Sequence, residues 1–179
     1  MNWTIQPLPV RGPLFEGAIG VYADAFAEPP YSDPDRGREI HERMQDTHSA
    51  RDGFHAYVAV LTDEVIGMIY GYRGTSGQWW HDTVVRQLKS DDAARWMRDS
   101  YELVELAVAP THQSKGVGSS LVTRLLDGRR EATCVLSTRS DSDAYKLYQR
   151  HGFQILTEMT FASRGARFYI MGKPLPVQE

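Results

Sequence analysis

Apolar positions change period several times along the chain, and each change marks an element. Thr4 to Val10 reads as a first strand, confined to a sheet edge because Pro7 and Pro9 cannot donate to a ladder. From Leu14 to Phe26 apolar residues fall at Leu14, Ala18, Val21, Tyr22, Ala25 and Phe26, the spacing of a helix face. Glu28-Pro29-Pro30-Tyr31 ends that helix, since proline disfavours helical backbone in the residue before it. Asp33-Pro34 then predicts an N-cap with proline at the first helical position. The charged helix that follows, to about His48, is apolar only at Ile40 and Met44 and is expected on the surface. Phe54 to Leu61 and Val65 to Tyr72 are apolar runs joined by Thr62-Asp63-Glu64, which predicts a β-hairpin. Gly67 and Gly71 leave room there for a close neighbour or a bulge.

Gly74 to Gln78 reads as a loop, and Trp79 to about Asp99 as an irregular helical insertion. Tyr101 to Ala109 is a strand that ends at Pro110, and a helical pattern starts at Ser119, apolar at Leu121, Val122, Leu125 and Leu126. Thr133 to Thr138 is a buried-looking strand. Asp141 to His151 is a helix closed by Gly152 at the C′ position. Phe153 to Phe161 and Arg167 to Met171 pair around the turn Ser163-Arg164-Gly165-Ala166. The order β-α-α-β-β-(insertion)-β-α-β-α-β-β predicts a mixed α/β domain.

A length of 179 residues fits one domain, 1–179, with a real core. Twenty basic against 23 acidic side chains argue against sequence-independent binding to nucleic acid. A single cysteine, Cys134, allows no intramolecular disulfide and suits a reducing compartment. The first ten residues lack a charged segment followed by an apolar run, and no run is long enough for a bilayer, so a soluble cytoplasmic protein without a membrane partner is expected. His55, His81, His112 and His151 have no metal-like spacing, so no metal is expected, and Cys134 reads as inert core.

Tyr101 to Gly118 carries the most chemistry. Strand, glycine-bearing turn Gln113-Ser114-Lys115-Gly116-Val117-Gly118 and helix start together point backbone N–H groups at one spot and favour an anion there. A Walker A loop is excluded, because Lys115 precedes the first glycine. A Rossmann fingerprint lacks its third glycine, as Gly118 runs into Ser119-Ser120-Leu121. On its own, Q-x-x-G-x-G is equally an ordinary tight βα turn.

Three features in this order are more specific: E-L-V-E-L-A-V-A-P, Q-S-K-G-V-G and A-Y-K-L-Y-Q-R-H-G-F. They resemble the GNAT superfamily of acetyl-coenzyme A-dependent N-acetyltransferases, over Tyr101 to Phe153 most clearly. The resemblance implies a central mixed, mostly antiparallel sheet flanked by helices. It implies that Gln113, Ser114, Lys115, Gly116, Val117, Gly118 and Ser119 hold the pyrophosphate of acetyl-coenzyme A. It further implies that the backbone of Leu106, Ala107 and Val108 pairs with the pantetheine arm and bonds the thioester oxygen. Asp141 stands where the family often has asparagine; it accepts the same hydrogen bonds but donates none.

Acetyl transfer to an amine needs a base for an ammonium of pKa about 10, an oxyanion donor and an acid for the leaving thiolate. Tyr148, four residues before Gly152-Phe153, matches the family's general acid, and the resemblance implies that its helix flanks the pantetheine arm, making it a coenzyme-binding residue as well; otherwise it packs one helix face, and Tyr145 is the core control. Glu102 and Glu105 are carboxylates in an otherwise apolar strand, on opposite faces by alternation. Burial would raise either pKa toward neutrality; otherwise each pairs with an arginine or reaches solvent where the strand splays. Spacing like that of histone-type members ranks Glu102 first as base, with Glu105 close behind and a water chain as the third option.

The resemblance frames an acceptor pocket by Ala27–Asp33, Gly74–Trp96 and Ser163–Arg167. Glu28, Tyr31, Trp79, Trp80 and Asp82 are its candidate lining groups, a mixture suited to a cationic amine. Trp79 and Trp80 equally suit core or homodimer packing. A small-molecule amine is favoured over a peptide amine, since no long acidic run is present to meet a basic peptide. The rival reading is a catalytically degenerate GNAT fold that binds coenzyme A as a sensor or scaffold. A Rossmann-like nucleotide binder is third.

Overall fold

A computed structural model describes residues 2–179. In chain order its elements are β1 (Thr4–Pro7), α1 (Pro13–Ala27), α2 (Arg36–Asp46), β2 (His55–Leu61), β3 (Glu64–Arg73), α3 (Trp79–Gln87), α4 (Ser90–Met97), β4 (Ser100–Val108), α5 (Val117–Leu126), β5 (Thr133–Arg139), α6 (Ala144–Arg150), β6 (Gln154–Thr160) and β7 (Arg167–Pro174). Short 3₁₀ turns lie at His48–Ala50 and Pro110–His112. The expected order is observed, with α3 and α4 as the insertion. Seven strands form a sheet in the order β1-β2-β3-β4-β5-β7-β6. Pairs β1–β2, β2–β3, β5–β7 and β6–β7 are antiparallel, while β4–β5 is parallel from Ser100↔Thr133 to Glu102↔Val135. The chain divides into two compact units, Met1–Tyr72 with Val104–Asp127, and Arg73–Leu103 with Gly128–Glu179.

In the first unit, β1 is the sheet edge that its prolines require, and it stops at Pro7. Helix α1 opens with Pro13 at its first position and buries Phe15, Ala18, Val21, Tyr22 and Phe26. The peptide bond Pro29–Pro30 is cis. Helix α2 starts two residues later than Asp33-Pro34 suggested, because the Asp33 carboxylate accepts the Asp35 N–H (3.2 Å) in a turn instead of capping a helix. Nor does α2 merely lie on the surface. Ile40 and Met44 are fully buried, and Gly37 lets the helix approach Ala23 so closely that a Cβ would sit 2.8 Å from the alanine methyl. Thr62 and Asp63 both take positive φ (46° and 66°), as a two-residue hairpin turn demands. The register of β2 and β3 shifts at Ala59/Val60, where Ile66 of β3, next to Gly67, is the extra residue, and Gly67 provides the close approach.

The second unit packs Val84, Leu88, Trp96, Met97, Val135, Met159 and Ile170 into one core. Gly172 in β7 accepts the face of Trp96, whose Cε3 would lie 2.7 Å from any Cβ there. Helix α6 begins at Ala144, three residues after Asp141. Gly152 closes it with φ 88°, as expected of a C′ glycine.

Candidate functional site

The turn after β4 belongs to the first unit. Helix α5 begins at Val117, two residues before the expected Ser119, so Gly118 and Ser119 lie in its first turn and Gly116 is the N-cap. Gly116 takes φ 92° and Ser114 φ 60°, a backbone reversal that aims the start of the helix outward. Gly116 accepts both the Ser120 N–H and the Ser120 hydroxyl at 3.0 Å. Among the described residues beyond its chain neighbours, the Trp3 ring comes nearest to where a Gly116 Cβ would stand, at 3.9 Å, so nothing packs tightly on that glycine. Helix termini leave their first N–H groups without an intrahelical acceptor, and the dipole adds positive character. The residues present therefore fit a pyrophosphate.

Gly67 seats this helix. A Cβ there would lie 3.0 Å from Leu121 Cδ1 and Val117 Cγ1 and 3.3 Å from the Ala107 carbonyl oxygen. Val117, Leu121, Val122 and Leu125 are buried beneath the cradle. Gln113 folds back to donate to the Val108 carbonyl (3.1 Å), and Lys115 donates to the Thr111 carbonyl (2.9 Å). Both side chains thus brace the loop, and Lys115 keeps an exposed ammonium beside it. Ala107 is buried, while Leu106 and Val108 are half-buried.

Glu105 lies in the same unit, in a cluster supplied by α1 and α2. Arg36 Nη2 stands 3.9 Å from Glu105 Oε2, and Arg36 Nε donates to the Tyr22 hydroxyl at 2.7 Å. Tyr22 beside it favours the ionised form of the Glu105 carboxylate. Burial pushes the Glu105 pKa up, and Arg36 opposes it. Tyr22 is raised as well, by burial and then by Glu105. Burial would lower Arg36, but Glu105 and Tyr22 outweigh that and leave it raised. The Arg36 guanidinium also lies 4.0 Å over the Phe26 ring, which itself packs on Tyr31 at 4.5 Å. Tyr31 is half-buried and Glu28 is exposed. Sequence reasoning missed Tyr22 and Arg36, because nothing local ties a residue of one helix to a carboxylate in a distant strand.

In the second unit, Glu102 is 5% exposed and sits opposite Val135. Cys134 is buried, and burial raises its thiol pKa. Tyr148 is buried on α6 with its ring edge-on to Phe153 at 5.8 Å. Tyr145, the expected core residue of the pair, is only half-buried and packs edge-on to Tyr169 at 5.3 Å. Asp141 is gripped by the Arg139 fork (2.9 and 2.7 Å), which holds its carboxyl below the usual range. It occupies the turn ahead of α6 and not the helix start. The two tryptophans part company. Trp80 donates to the Ser137 hydroxyl (3.0 Å) and packs on the core, whereas Trp79 is 64% exposed against Phe161. Asp82 accepts from His81 and the Gly77 N–H, and its pKa is lowered by those bonds.

Residues 19–153 match the model of the acetyltransferase (GNAT) family. The chain belongs to the GNAT family. A GCN5-like protein acetyltransferase of Mycobacterium tuberculosis, Rv2170, is 39% identical over 193 aligned positions, covering 89% of this chain and 91% of the relative. Among solved structures, a histone acetyltransferase HPA2 and related acetyltransferase from Corynebacterium glutamicum superposes with TM-score 0.69 at 22% identity, over 99% of each chain. The NatC complex bound to Gag peptide and CoA contains a chain with TM-score 0.62 and 17% identity, over 98% of this chain and all of that one. These two likenesses show the GNAT fold. Membership implies acetyl transfer from acetyl-coenzyme A, which the Gly116 cradle suits. Among the described residues, no group of three or more His, Cys, Asp or Glu could hold a metal ion, and no helix is long and apolar enough to cross a membrane.

Proposed function

We propose that this GNAT protein transfers the acetyl group of acetyl-coenzyme A to a primary amine by direct attack in a ternary complex, and that one acetyltransferase domain takes in both units. The observation that carries this reading is the left-handed Gly116 N-cap of α5, in the turn that follows a strand of family sequence. Acetyl-coenzyme A supplies the activated acetyl group. The Gln113–Ser119 backbone and the first turn of α5 hold its pyrophosphate, and Lys115 adds charge. The backbone of Leu106, Ala107 and Val108 pairs with the pantetheine arm and polarises the thioester oxygen. Asp141 lies spoken for by Arg139 and plays the smaller part in coenzyme binding.

We assign Glu105 as the base that takes the ammonium proton of the acceptor, ahead of Glu102, because Arg36, itself bonded to Tyr22, holds it at 3.9 Å in a fixed cluster. Tyr148 donates a proton to the departing thiolate. Glu28, Tyr31 and Trp79 line the acceptor path, while the core contacts of Trp80 make it a support for Trp79. The likeness to a protein acetyltransferase over nearly the whole chain favours a protein or peptide amine over a small molecule as acceptor.

Thiol release from acetyl-coenzyme A, measured with lysine-bearing peptides and a panel of small amines, tests the reading. Peptide-dependent release is expected, with Tyr148→Phe slowing it about 10²-fold or more at unchanged coenzyme affinity. Coenzyme binding without turnover on any amine would instead make the protein a scaffold. An unchanged rate in Tyr148→Phe would remove that residue from the mechanism.

A further inference from the structure

Resting on the assignment of Glu105 as base, we infer that Arg36 and Tyr22 are positioning residues that hold the Glu105 carboxylate ionised and oriented, and so set the pH at which the enzyme becomes active. Two contacts bear on that carboxylate. Arg36 reaches it from α2 at 3.9 Å. Arg36 is itself joined to the Tyr22 hydroxyl of α1 at 2.7 Å, so each fixes the other, and both favour the ionised carboxylate. The guanidinium is stacked 4.0 Å over Phe26, which removes its freedom to swing toward solvent. Burial in strand β4 favours the protonated form of such a base. The Arg36 cation at 3.9 Å and Tyr22 oppose that without neutralising the carboxylate through a close, two-pronged pair.

The charged and titratable groups that act on Glu105 among the described residues come from these two helices and their connection. They are Tyr22 from α1, Arg36 and the more distant Arg43 from α2, and Asp33, which bears on Arg36. Arg43 is engaged by Glu39 at 3.1 Å, which leaves Arg36 the dominant cation.

The experiment is the pH dependence of kcat/KM for acetyl transfer, followed through its acid limb. Arg36→Met is expected to move that limb upward by about one pH unit or more, because the carboxyl loses the charge that favours its ionised form. Tyr22→Phe should move it the same way by less, and Arg36→Lys, which keeps the charge, should restore most of the wild-type position. Well above the limb the variants should approach the wild-type rate, whereas a merely structural defect would lower the rate equally at every pH. Coenzyme affinity and the circular dichroism melt are measured alongside. Should Arg36→Met fail to fold, Tyr22→Phe and Arg36→Lys carry the test. If Glu105→Gln leaves the limb in place, the assignment of the base is wrong. If Glu105→Gln abolishes the limb while Arg36→Met and Tyr22→Phe do not shift it, the positioning role is overturned and the base assignment stands.

Discussion

His48 illustrates how a single side chain can couple the first unit to pH. It is buried, its Nδ1 lies 2.8 Å from the Tyr70 hydroxyl, and the Tyr72 ring stands edge-on at 5.1 Å. Burial, with Arg51 and Arg43 nearby, lowers its pKa to about 4. In the unfolded chain the same imidazole titrates near 6.5. Between those values the unfolded state binds more protons, so His48 favours folding at neutral pH and loses that contribution as pH falls from about 6.5 to about 4. The slope of unfolding free energy against pH across that window should therefore be smaller in His48→Gln, which keeps a polar partner for Tyr70 but does not titrate. Urea denaturation at a series of pH values reads this directly; an unaltered slope would mean that His48 is not the coupled group. No residue-level signal marked His48 in the sequence, because its burial depends on strands that follow it in the chain.

The decisive element is α5, and its position depends on a glycine in another element. Gly67 of β3 leaves the space in which Val117 and Leu121 lie, with the Ala107 carbonyl behind them. Side-chain tips can yield, but a carbonyl in a paired strand cannot move cheaply. Gly67→Ala should lower the melting temperature and weaken coenzyme A binding together, since the helix that forms the cradle is displaced. Gly20, on α1, has nothing within 4 Å of its Cβ position and serves as the control. Gly20→Ala should stabilise by about 0.5–1 kcal/mol and leave affinity alone. Calorimetric titration with coenzyme A compares the two; unchanged affinity in Gly67→Ala would show that the cradle tolerates a shifted helix. The sequence singled out Gly67 as a place of close approach. It could not say that the neighbour would be the helix after Gly116.

At the scale of the whole molecule, the ligand class separates the reading adopted here from a nucleotide binder. Coenzyme A present at about a hundredfold excess over its dissociation constant should stabilise the folded chain by about 2.7 kcal/mol, on the order of 5 °C or more in melting temperature. NAD and ATP should give no comparable shift. A shift with NAD alone would return the turn after β4 to the Rossmann-like alternative. The same measurement on coenzyme A with the acceptor peptide, a pair that cannot react, reports whether both ligands stabilise the fold together, as a ternary complex requires.

Element order, the hairpin, the C′ glycine of α6 and the glycine turn into α5 were legible because each is written in local chemistry: periodicity, proline placement and the freedom of glycine at positive φ. The family was legible for the same reason, as its motifs are short and contiguous. Helix boundaries were less so. Asp33 satisfies a turn instead of capping α2, and α5 starts at Val117, since local hydrogen bonds compete on nearly equal terms. Only the tertiary structure decided the surroundings of the two strand glutamates. Alternation put them on opposite faces, but the pairing of Glu105 with Arg36 and Tyr22 needs two helices folded against a strand some seventy residues away. Charge, burial and hydrogen bonding between distant segments are properties of the packed molecule, and they determine what a carboxylate can do.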